Sequence, residues 1–387
     1  MPVIDVPQPE FMEDEEIAIF KDAVGKFYDQ HAPAKRVEKW RDEGQVDVEF
    51  WQEAGAAGIL GMTVPEEYGG HGGDFRHDLV VLDQQAEKGV DGFAASLHNV
   101  IILPYLVRHG TEEQKQRWLP RLVSGELISA IAMTEPGVGS DLQSIATTAT
   151  KDGNGYRLNG AKTFISSGQL ANFVVVVAKT DPKARAKGIS LMCMETKGAE
   201  GFRRGKKLDK IGLDAADTSE LFFDDVFLPG DSVLGGEEGK GFYQLMGELP
   251  QERLVIAVGA MKTIEKALDT TVEYVKERKA FGQTIWDFQN TQFVLADLKA
   301  RGTAAKVFLN DCIAKLLRGE LDVTTASIAK YWITELQGEV VDKCLQLHGG
   351  WGYINEYSIA KMYRDSRITR IFGGSNEIMK MIIARSM

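Results

Sequence analysis

The chain has 387 residues, of which 44% are hydrophobic and 26% charged, a composition typical of a globular protein with two or three domains. Its formal net charge of −11 argues against nucleic acid or an anionic membrane as the main partner, because both would repel an acidic surface. Three cysteines without CxxC spacing predict neither a disulfide framework nor a zinc site.

The first third of the chain is predicted to be helical. Apolar residues recur at spacings of three and four between about Glu13 and Gly125, and Phe20, Val24 and Phe27 form one such stripe. The acidic N-terminus resembles neither a signal peptide nor a transit peptide. We therefore expect a cytoplasmic protein, or one of the mitochondrial matrix if this is the mature form of a eukaryotic protein.

The middle third changes to the period of β-strands. The segment IATTATKDGNGYRLNG alternates around Asp152-Gly153 and Asn154-Gly155, dipeptides that indicate a tight hairpin because glycine accepts a positive φ. FVVVVAKT, GISLMCMET and TSELFFDDVFLP read as further strands, since they are rich in branched and aromatic residues. The longest apolar run, at 173–178, is far shorter than the ~20 residues of a membrane span. The basic stretch 203–207 favours a solvated loop.

The last third returns to helix. Leu254, Val258 and Met261 begin an apolar face that continues to Val275, as expected for a helix in a bundle. Further helices are predicted over 287–317, over 324–348 and after Ser375. The sequence thus predicts an α+β multidomain protein, with an N-terminal helical domain at 1–126, a central β domain at 127–236 and a C-terminal helical domain at 237–387.

Two segments near the first domain junction suit a ligand. In AMTEPGVGSDLQS, two close glycines lie between Thr134 and Ser140, so backbone N–H groups can approach an anionic or carbonyl-rich ligand; a simple interdomain turn explains them equally well. In GAKTFISSG, Phe164 and Ser166 fall on one side of a predicted strand. They suit a planar heterocycle, or else a core phenylalanine beside a surface serine.

Three later segments also stand out. Arg278 ends a long predicted helix, where the helix dipole alone favours a cation. QLHGGWGY and RIFGGSNEI each place a glycine pair within a helical region, which is costly unless the backbone must turn sharply or approach something closely. His348 has no second ligand at metal-binding spacing, so we expect a packed or capping histidine and no metal site.

Glu252, in ELPQERLVIA, has two interpretations. Pro250 suits the first turn of a helix, and acids are favoured there. However, the preceding GKGFYQLMGEL is itself helical in pattern, so Pro250 can instead interrupt a continuing helix. A carboxylate beside an apolar face would lose hydration, and its pKa would rise toward that of a general base.

Together and in this order, these segments resemble the acyl-CoA dehydrogenase family over nearly the whole chain, with the long-chain branch as the best match. AMTEPGVGSD resembles one signature of the family, and QLHGGWGY with RIFGGSNEI resembles its second. The family fold comprises an N-terminal helical domain, a central β-barrel-like domain and a C-terminal four-helix bundle. The resemblance implies a homotetramer or dimer.

The resemblance also implies FAD, with fourteen residues beyond Phe164 and Ser166 as contacts. These are Ile131, Met133, Thr134, Gly139 and Ser140 along the flavin ring, Ile165 beside Phe164, Arg278, Phe281 and Gln289 at the pyrophosphate of a neighbouring subunit's FAD, and Gln346, Gly349, Gly350, Ser375 and Glu377 at the adenosine half. Many relatives carry tryptophan where this chain has Phe164, so stacking on the flavin is expected to be weaker.

The catalytic base is where the chain departs from many relatives, which carry a glutamate at the position of Gly373. The long-chain and isovaleryl branches place it at the position of Glu252, so the resemblance assigns that residue as the base. Gly373 would polarise the thioester through its N–H, and Ser140, Arg253, Phe372, Gly373 and Gly374 would contact the acyl-CoA substrate.

The implied reaction is the α,β-dehydrogenation of a long-chain acyl-CoA, with electrons passed to an electron-transferring flavoprotein. The alternatives are an acyl-CoA oxidase or nitroalkane oxidase, a branched-chain acyl-CoA dehydrogenase, and a catalytically silent flavin or acyl-CoA binding protein. Ala94, Ala95 and Ser96 are expected to leave room for a long tail. Asp214 stands where relatives carry a basic residue, which removes one expected contact with the CoA phosphate.

Overall fold

The computed structural model describes residues 2–387 and divides into two compact units. The larger unit comprises Glu16–Lys210 and Asp214–Glu248. The smaller unit comprises the residues up to Glu15, Ile211–Leu213 and Leu249–Met387. Within the described chain, no helix combines the length and the hydropathy that a membrane crossing requires.

Helices make up the N-terminal part of the larger unit, as the apolar spacing predicts. They are α1 (Glu15–His31), α2 (Ala34–Glu43), α3 (Val48–Ala56), α4 (Phe75–Lys88), α5 (Leu103–His109) and α6 (Glu112–Val123). Thr111 caps α6 by accepting a hydrogen bond from the Gln114 N–H, and the Gln114 side chain accepts one from the Thr111 N–H. A π-helical segment at Ser96–Ile102 precedes α5, and Ala94 and Ala95 lie just before it.

A seven-stranded sheet forms the rest of this unit. Its strands are β1 (Ser129–Ala132), β2 (Thr148–Asp152), β3 (Gly155–Ser166), β4 (Phe173–Lys179), β5 (Ile189–Glu195), β6 (Phe202–Lys207) and β7 (Thr218–Pro229). The hydrogen-bonded order is β1-β4-β2-β3-β7-β6, and β5 pairs antiparallel along the whole of β4. The predicted hairpin joins β2 to β3, because Asp152 pairs with Gly155 around a two-residue turn in which Gly153 has a φ of 57°.

The expectation of a loop at 203–207 was wrong, because these residues form the edge strand β6. The Arg203 guanidinium lies 3.8 Å from the centre of the Phe222 ring, and the Arg204 guanidinium donates to the carbonyl oxygens of Gly168 and Ala171. Long basic side chains protect an edge strand from pairing with other chains, which gives this cluster a structural explanation.

The smaller unit is helical. It contains α7 (Gly241–Glu277, from Leu249 onward), α8 (Gln289–Leu317), α9 (Val323–His348), α10 (Ser358–Ser366) and α11 (Asn376–Arg385), with the short strands β8 (Lys279–Ala280) and β9 (Gln283–Thr284) between α7 and α8. Lys306 of α8 forms an ion pair of 2.9 Å with Glu265 of α7, and α9 packs against α8, α10 and α11.

The predicted helices of this unit are confirmed, with the starts of two of them shifted by one or two residues. α8 begins at Gln289 rather than at Asp287, because the Asp287 carboxylate accepts hydrogen bonds from the Thr284 N–H and hydroxyl in the turn before it. Asp322 caps α9 by accepting from the N–H groups of Thr324 and Thr325. The predicted fold class, a helical region, a β region and a second helical region, is therefore confirmed.

Candidate active site

The glycine-rich segment of the larger unit follows β1 as a loop. Ile131 is half-buried on β1, Met133 and Thr134 are half-buried beyond its end, and Gly139 and Ser140 are exposed. A Cβ atom placed on Gly137 or Gly139 would meet no protein atom within 4 Å. The loop therefore has open space beside it, as a ligand-binding segment requires.

A buried ion pair that sequence reasoning did not identify supports this loop. The Lys162 ammonium donates to the Met133 carbonyl oxygen and to the Glu135 carboxylate, both at 2.9 Å, and the lysine side chain is 0% exposed. The Glu135 carboxylate also accepts from the N–H groups of Ala146 and Thr147, at 2.6 and 2.9 Å. The loop backbone is thus fixed before any ligand binds.

Burial and charge act in opposite directions on both members of this pair. Burial lowers the pKa of Lys162 to about 8, although the Glu135 carboxylate opposes that shift. Burial raises the pKa of Glu135, but its contacts with Thr147, Ala146 and Lys162 outweigh burial, so the pKa lies below its usual value. The Glu135 carboxylate is therefore ionised at neutral pH.

Phe164 and Ser166 lie on the exposed side of β3, as the alternation predicts. The Phe164 side chain is 67% exposed, which excludes the alternative of a core phenylalanine. Ile165 between them is 2% exposed and belongs to the sheet core, so only its backbone is available to a ligand. Phe164 has a φ of 59° within a β-bulge, an uncommon conformation for an aromatic residue.

In the smaller unit, Glu252 lies in the interior of α7. Pro250 is inside the helix, nine residues after its start, so Glu252 is not a helix-start acid. Its side chain is 5% exposed, and the adjacent Arg253 is 4% exposed. The Arg253 guanidinium donates to the Ser327 hydroxyl at 3.2 Å; burial lowers the pKa of Arg253, and the Glu252 carboxylate opposes that shift.

The glycine pair Gly373 and Gly374 forms a turn that contacts the same helix. Both residues have positive φ, of 64° and 88°. A Cβ atom on Gly373 would lie 2.2 Å from Cδ1 of Ile256, which is one helical turn after Glu252. Within residues 2–387, the Gly373 N–H donates no hydrogen bond. Phe372, before the pair, is 40% exposed.

Lys330 supports this glycine turn, and sequence reasoning did not identify it either. Its ammonium donates to the Gly374 carbonyl oxygen and to the Asn376 side-chain oxygen, both at 2.8 Å. Ser375 caps α11 by accepting from the Ile378 N–H, and Glu377 is exposed in the first turn of that helix. The signal in the sequence was a lysine among apolar and small residues of a predicted helix.

A cleft of about 570 Å³ in the smaller unit brings together four of the predicted cofactor residues. Arg278, Gln346, Gly349 and Gly350 line it together with Tyr274, Ala280, Ile285, Leu347, His348, Trp351 and Ile354. A Cβ atom on Gly349 or Gly350 would meet no protein atom within 4 Å, so a ligand can approach their backbone. Phe281 and Gln289 are exposed, and Phe281 has a φ of 52°.

His348 forms the packed inner wall of this cleft. Its ring stacks on Tyr274 with centroids 4.3 Å apart, and its Nδ1 lies 2.9 Å from the Cys344 carbonyl oxygen. Burial lowers the pKa of His348, so the ring is neutral at physiological pH. The expectation of a packed histidine is confirmed. No cluster of three or more His, Cys, Asp or Glu side chains suited to a metal occurs among the described residues.

Comparison with protein families and solved structures agrees with this architecture. The chain matches the acyl-CoA dehydrogenase N-terminal domain at 14–126, the middle domain at 130–226 and the C-terminal domain at 239–387. It is 47% identical to the mitochondrial long-chain specific acyl-CoA dehydrogenase of Sus scrofa over 371 residues, which are 95% of this chain and 86% of that protein.

Two solved structures extend the comparison. The crystal structure of an acyl-CoA dehydrogenase from Geobacillus kaustophilus superimposes with a TM-score of 0.94 and 46% identity, covering 96% of this chain and 98% of that one. A glutaryl-CoA dehydrogenase from Mycobacterium smegmatis in complex with FADH2 gives a TM-score of 0.89 and 26% identity, covering 100% and 97%. The chain belongs to the acyl-CoA dehydrogenase family and is an oxidoreductase.

Proposed function

We propose that the protein catalyses the FAD-dependent α,β-dehydrogenation of long-chain acyl-CoA thioesters to trans-2-enoyl-CoA. The observation that supports this most directly is that one helix carries a buried carboxylate, Glu252, and lies, one turn later at Ile256, against the glycine turn whose Gly373 N–H is unused. A base and a carbonyl-polarising donor are the two groups that α-proton removal needs from a protein.

The residues present suit FAD. Phe164 offers an exposed ring for stacking, and the Thr134 and Ser166 hydroxyls and the open loop around Gly139 offer donors for a heterocycle edge. The cleft at Arg278, with the open backbone of Gly349 and Gly350, suits an anionic or adenosine group. When bound, FAD supplies the acceptor for the hydride that leaves the β carbon.

Glu252 would remove the α proton of the acyl chain. Its position inside a helix fixes the carboxylate, and its burial keeps water away from the transferred proton. The α C–H electrons form the new double bond as the β hydride departs. A general base of this kind contributes about 10²–10⁴-fold to the rate.

The Gly373 N–H would polarise the thioester carbonyl. Negative charge grows on that oxygen as the α proton leaves, and a fixed backbone donor in a water-poor site stabilises the charge without reorganising. Phe372 and Gly374 flank this donor, and Arg253 adds a buried positive charge beside Glu252. Ser140, on the exposed loop after β1, is the remaining residue proposed to contact the substrate.

A long acyl chain is the proposed substrate for two reasons. The chain is 47% identical over 95% of its length to an enzyme described as specific for long chains. It also carries glycine at 373, where a larger side chain would occupy space near Ile256. We further propose an electron-transferring flavoprotein as the acceptor, a homotetrameric assembly and a location in the cytoplasm or, for a eukaryotic protein, the mitochondrial matrix.

A chain-length series tests this function. The purified holoenzyme should reduce an artificial electron acceptor with saturated CoA thioesters from C4 to C20, with the highest kcat/KM among long chains. Anaerobic palmitoyl-CoA should bleach the flavin absorbance. Bleaching only by short branched thioesters would favour the branched-chain alternative, rapid reoxidation by O₂ would favour an oxidase, and binding without bleaching would leave a silent binding protein.

A further inference from the structure

Lys330 is a fully buried cation whose direct partners are uncharged. Its side chain is 0% exposed in the middle of the helical unit, and its ammonium donates to the Gly374 carbonyl oxygen and the Asn376 side-chain oxygen, both at 2.8 Å. Neither acceptor is a carboxylate. The proposed mechanism above does not use this residue.

Such burial is costly for stability. Removing an ammonium from water is unfavourable unless its partners compensate, and two neutral acceptors compensate only in part. Burial lowers the pKa of Lys330 to about 8; the nearby Arg253 guanidinium lowers it further, while Glu335 and Glu377 oppose the shift. An apolar side chain of similar length would fill the same space at lower cost, so packing does not explain the lysine.

The partners of Lys330 show what it does. Gly373 and Gly374 are consecutive residues with positive φ, and two glycines restrict the backbone less than any other pair. Lys330 holds the carbonyl at the end of this turn. Asn376, its second partner, is fixed in turn because its amide donates to the Thr334 hydroxyl at 3.0 Å and the Glu335 carboxylate at 2.7 Å.

We propose that Lys330 is a positioning residue that holds the Gly373–Gly374 turn so that the Gly373 N–H points at the thioester carbonyl, an inference that rests on the proposed function. The N–H of Gly373 is unused within the described chain, while the carbonyl one residue later is anchored from α9. A flexible glycine pair needs such an anchor to act as a preorganised donor.

The stretching frequency of the bound thioester carbonyl reports on this positioning. Holoenzyme is saturated with trans-2-hexadecenoyl-CoA labelled with ¹³C at the carbonyl carbon, and the carbonyl stretch is measured by difference infrared spectroscopy. We expect a downshift on binding to the wild type and a smaller one in Lys330→Met, with FAD still bound. The kcat for palmitoyl-CoA should fall about 10- to 100-fold, less than the ~10²–10³-fold of deleting an oxyanion donor.

Two further variants separate positioning from general damage. Lys330→Ala should regain part of its kcat when propylammonium is added, because the amine can occupy the vacated space and donate to the Gly374 carbonyl. Asn376→Ala, which leaves Lys330 bound to Gly374, should reduce the downshift only slightly. The control is Lys343→Met, which removes a half-exposed lysine of α9 with a 3.7 Å ion pair to Glu339.

A carbonyl downshift in Lys330→Met or Lys330→Ala as large as that in the wild type would overturn the inference, even if the stability or the FAD content of the variant falls. Failure of the proposed function looks different, since palmitoyl-CoA would then not bleach the flavin of the wild-type protein. If Lys330→Met does not fold, the amine dependence of kcat in Lys330→Ala carries the test. No recovery of kcat with propylammonium would then contradict the inference.

Discussion

Gly373 lies against Ile256 of α7, so closely that a Cβ atom on the glycine would stand 2.2 Å from Ile256 Cδ1. Ile256 is one helical turn beyond Glu252. The proposed base therefore lies on the side of α7 that the glycine turn contacts. This contact and the φ of 64° both favour glycine at 373. This contact predicts what is needed to transfer the catalytic carboxylate from position 252 to position 373.

Moving the carboxylate to position 373 should require room at position 256. Glu252→Ala with Gly373→Glu is expected to be nearly inactive, because the new side chain meets Ile256 Cδ1 and its positive φ costs about 1–2 kcal/mol. Adding Ile256→Val removes that atom and should restore measurable turnover, with shorter acyl chains. The test compares the turnover rates of the double and triple variants, corrected for the effect of Ile256→Val alone. Equal rates would show that the contact between position 373 and Ile256 is unimportant.

The cleft at Arg278 should contribute to cofactor affinity. Arg278→Gln is expected to weaken FAD binding about 10- to 100-fold, the range for losing a hydrogen bond to a charged group. Lys279→Gln is the matched control, since it removes an exposed cation from the next residue, which lies outside the lining of the cleft. Titration of apoprotein with FAD gives both affinities, and similar losses in the two variants would argue against a specific role for Arg278.

The buried pair of Lys162 and Glu135 should dominate the stability of the loop after β1. Lys162→Met is expected to lower the free energy of unfolding by about 3–5 kcal/mol, because it leaves the Glu135 carboxylate buried and uncompensated. Lys162→Met with Glu135→Gln should recover part of that loss. Lys151→Met, which breaks a surface ion pair with Glu238, should cost about 1 kcal/mol or less. Urea unfolding separates these cases, and equal costs for the two lysines would contradict the account.

Asp78 on α4 should make the larger unit less stable as the pH rises. It is 1% exposed, and burial raises its pKa to about 7, with Asp74 adding to the shift and a hydrogen bond to Asn99 opposing it. The folded state therefore binds this proton more tightly than the unfolded state. The resulting stabilisation is complete below the unfolded pKa of about 3.9 and is lost as the pH rises through about 7.

Asp78→Asn should remove this dependence, because the amide resembles the protonated acid in shape and does not titrate. The Tm of the variant relative to the wild type should rise as the pH increases from about 4 to about 7 and stay constant above. Calorimetry over that range measures the difference in Tm. A constant difference throughout would show that the carboxyl group of Asp78 does not titrate as described.

Local pattern was sufficient for most elements and insufficient where distant residues meet. The helix over 324–348 and the strand TSELFFDDVFLP were predictable because apolar periodicity reflects which face is buried. The strand at 202–207 was missed because its stabilisation comes from pairing with β7, which composition does not reveal.

The residues that support the candidate site could not be predicted from local sequence patterns either. Lys162 and Glu135 are 27 residues apart, and Lys330 and Asn376 are 46 apart, so only the folded chain brings each pair together. The residues proposed to contact FAD and substrate were identified by motif resemblance. This was possible because their glycine- and hydroxyl-rich motifs are local in sequence and do not depend on the distant residues that pack against them. The assignment of each to its ligand remains a prediction.

The central claim is that Glu252 takes the α proton, and rapid anaerobic mixing of holoenzyme with palmitoyl-CoA tests it most directly. Glu252→Gln should keep FAD and bind the thioester, yet its rate of flavin bleaching should fall at least ~10²–10⁴-fold. Glu265→Gln, on the same helix but paired with Lys306, should bleach like the wild type. Bleaching by Glu252→Gln at the wild-type rate would contradict the assignment and the mechanism built on it.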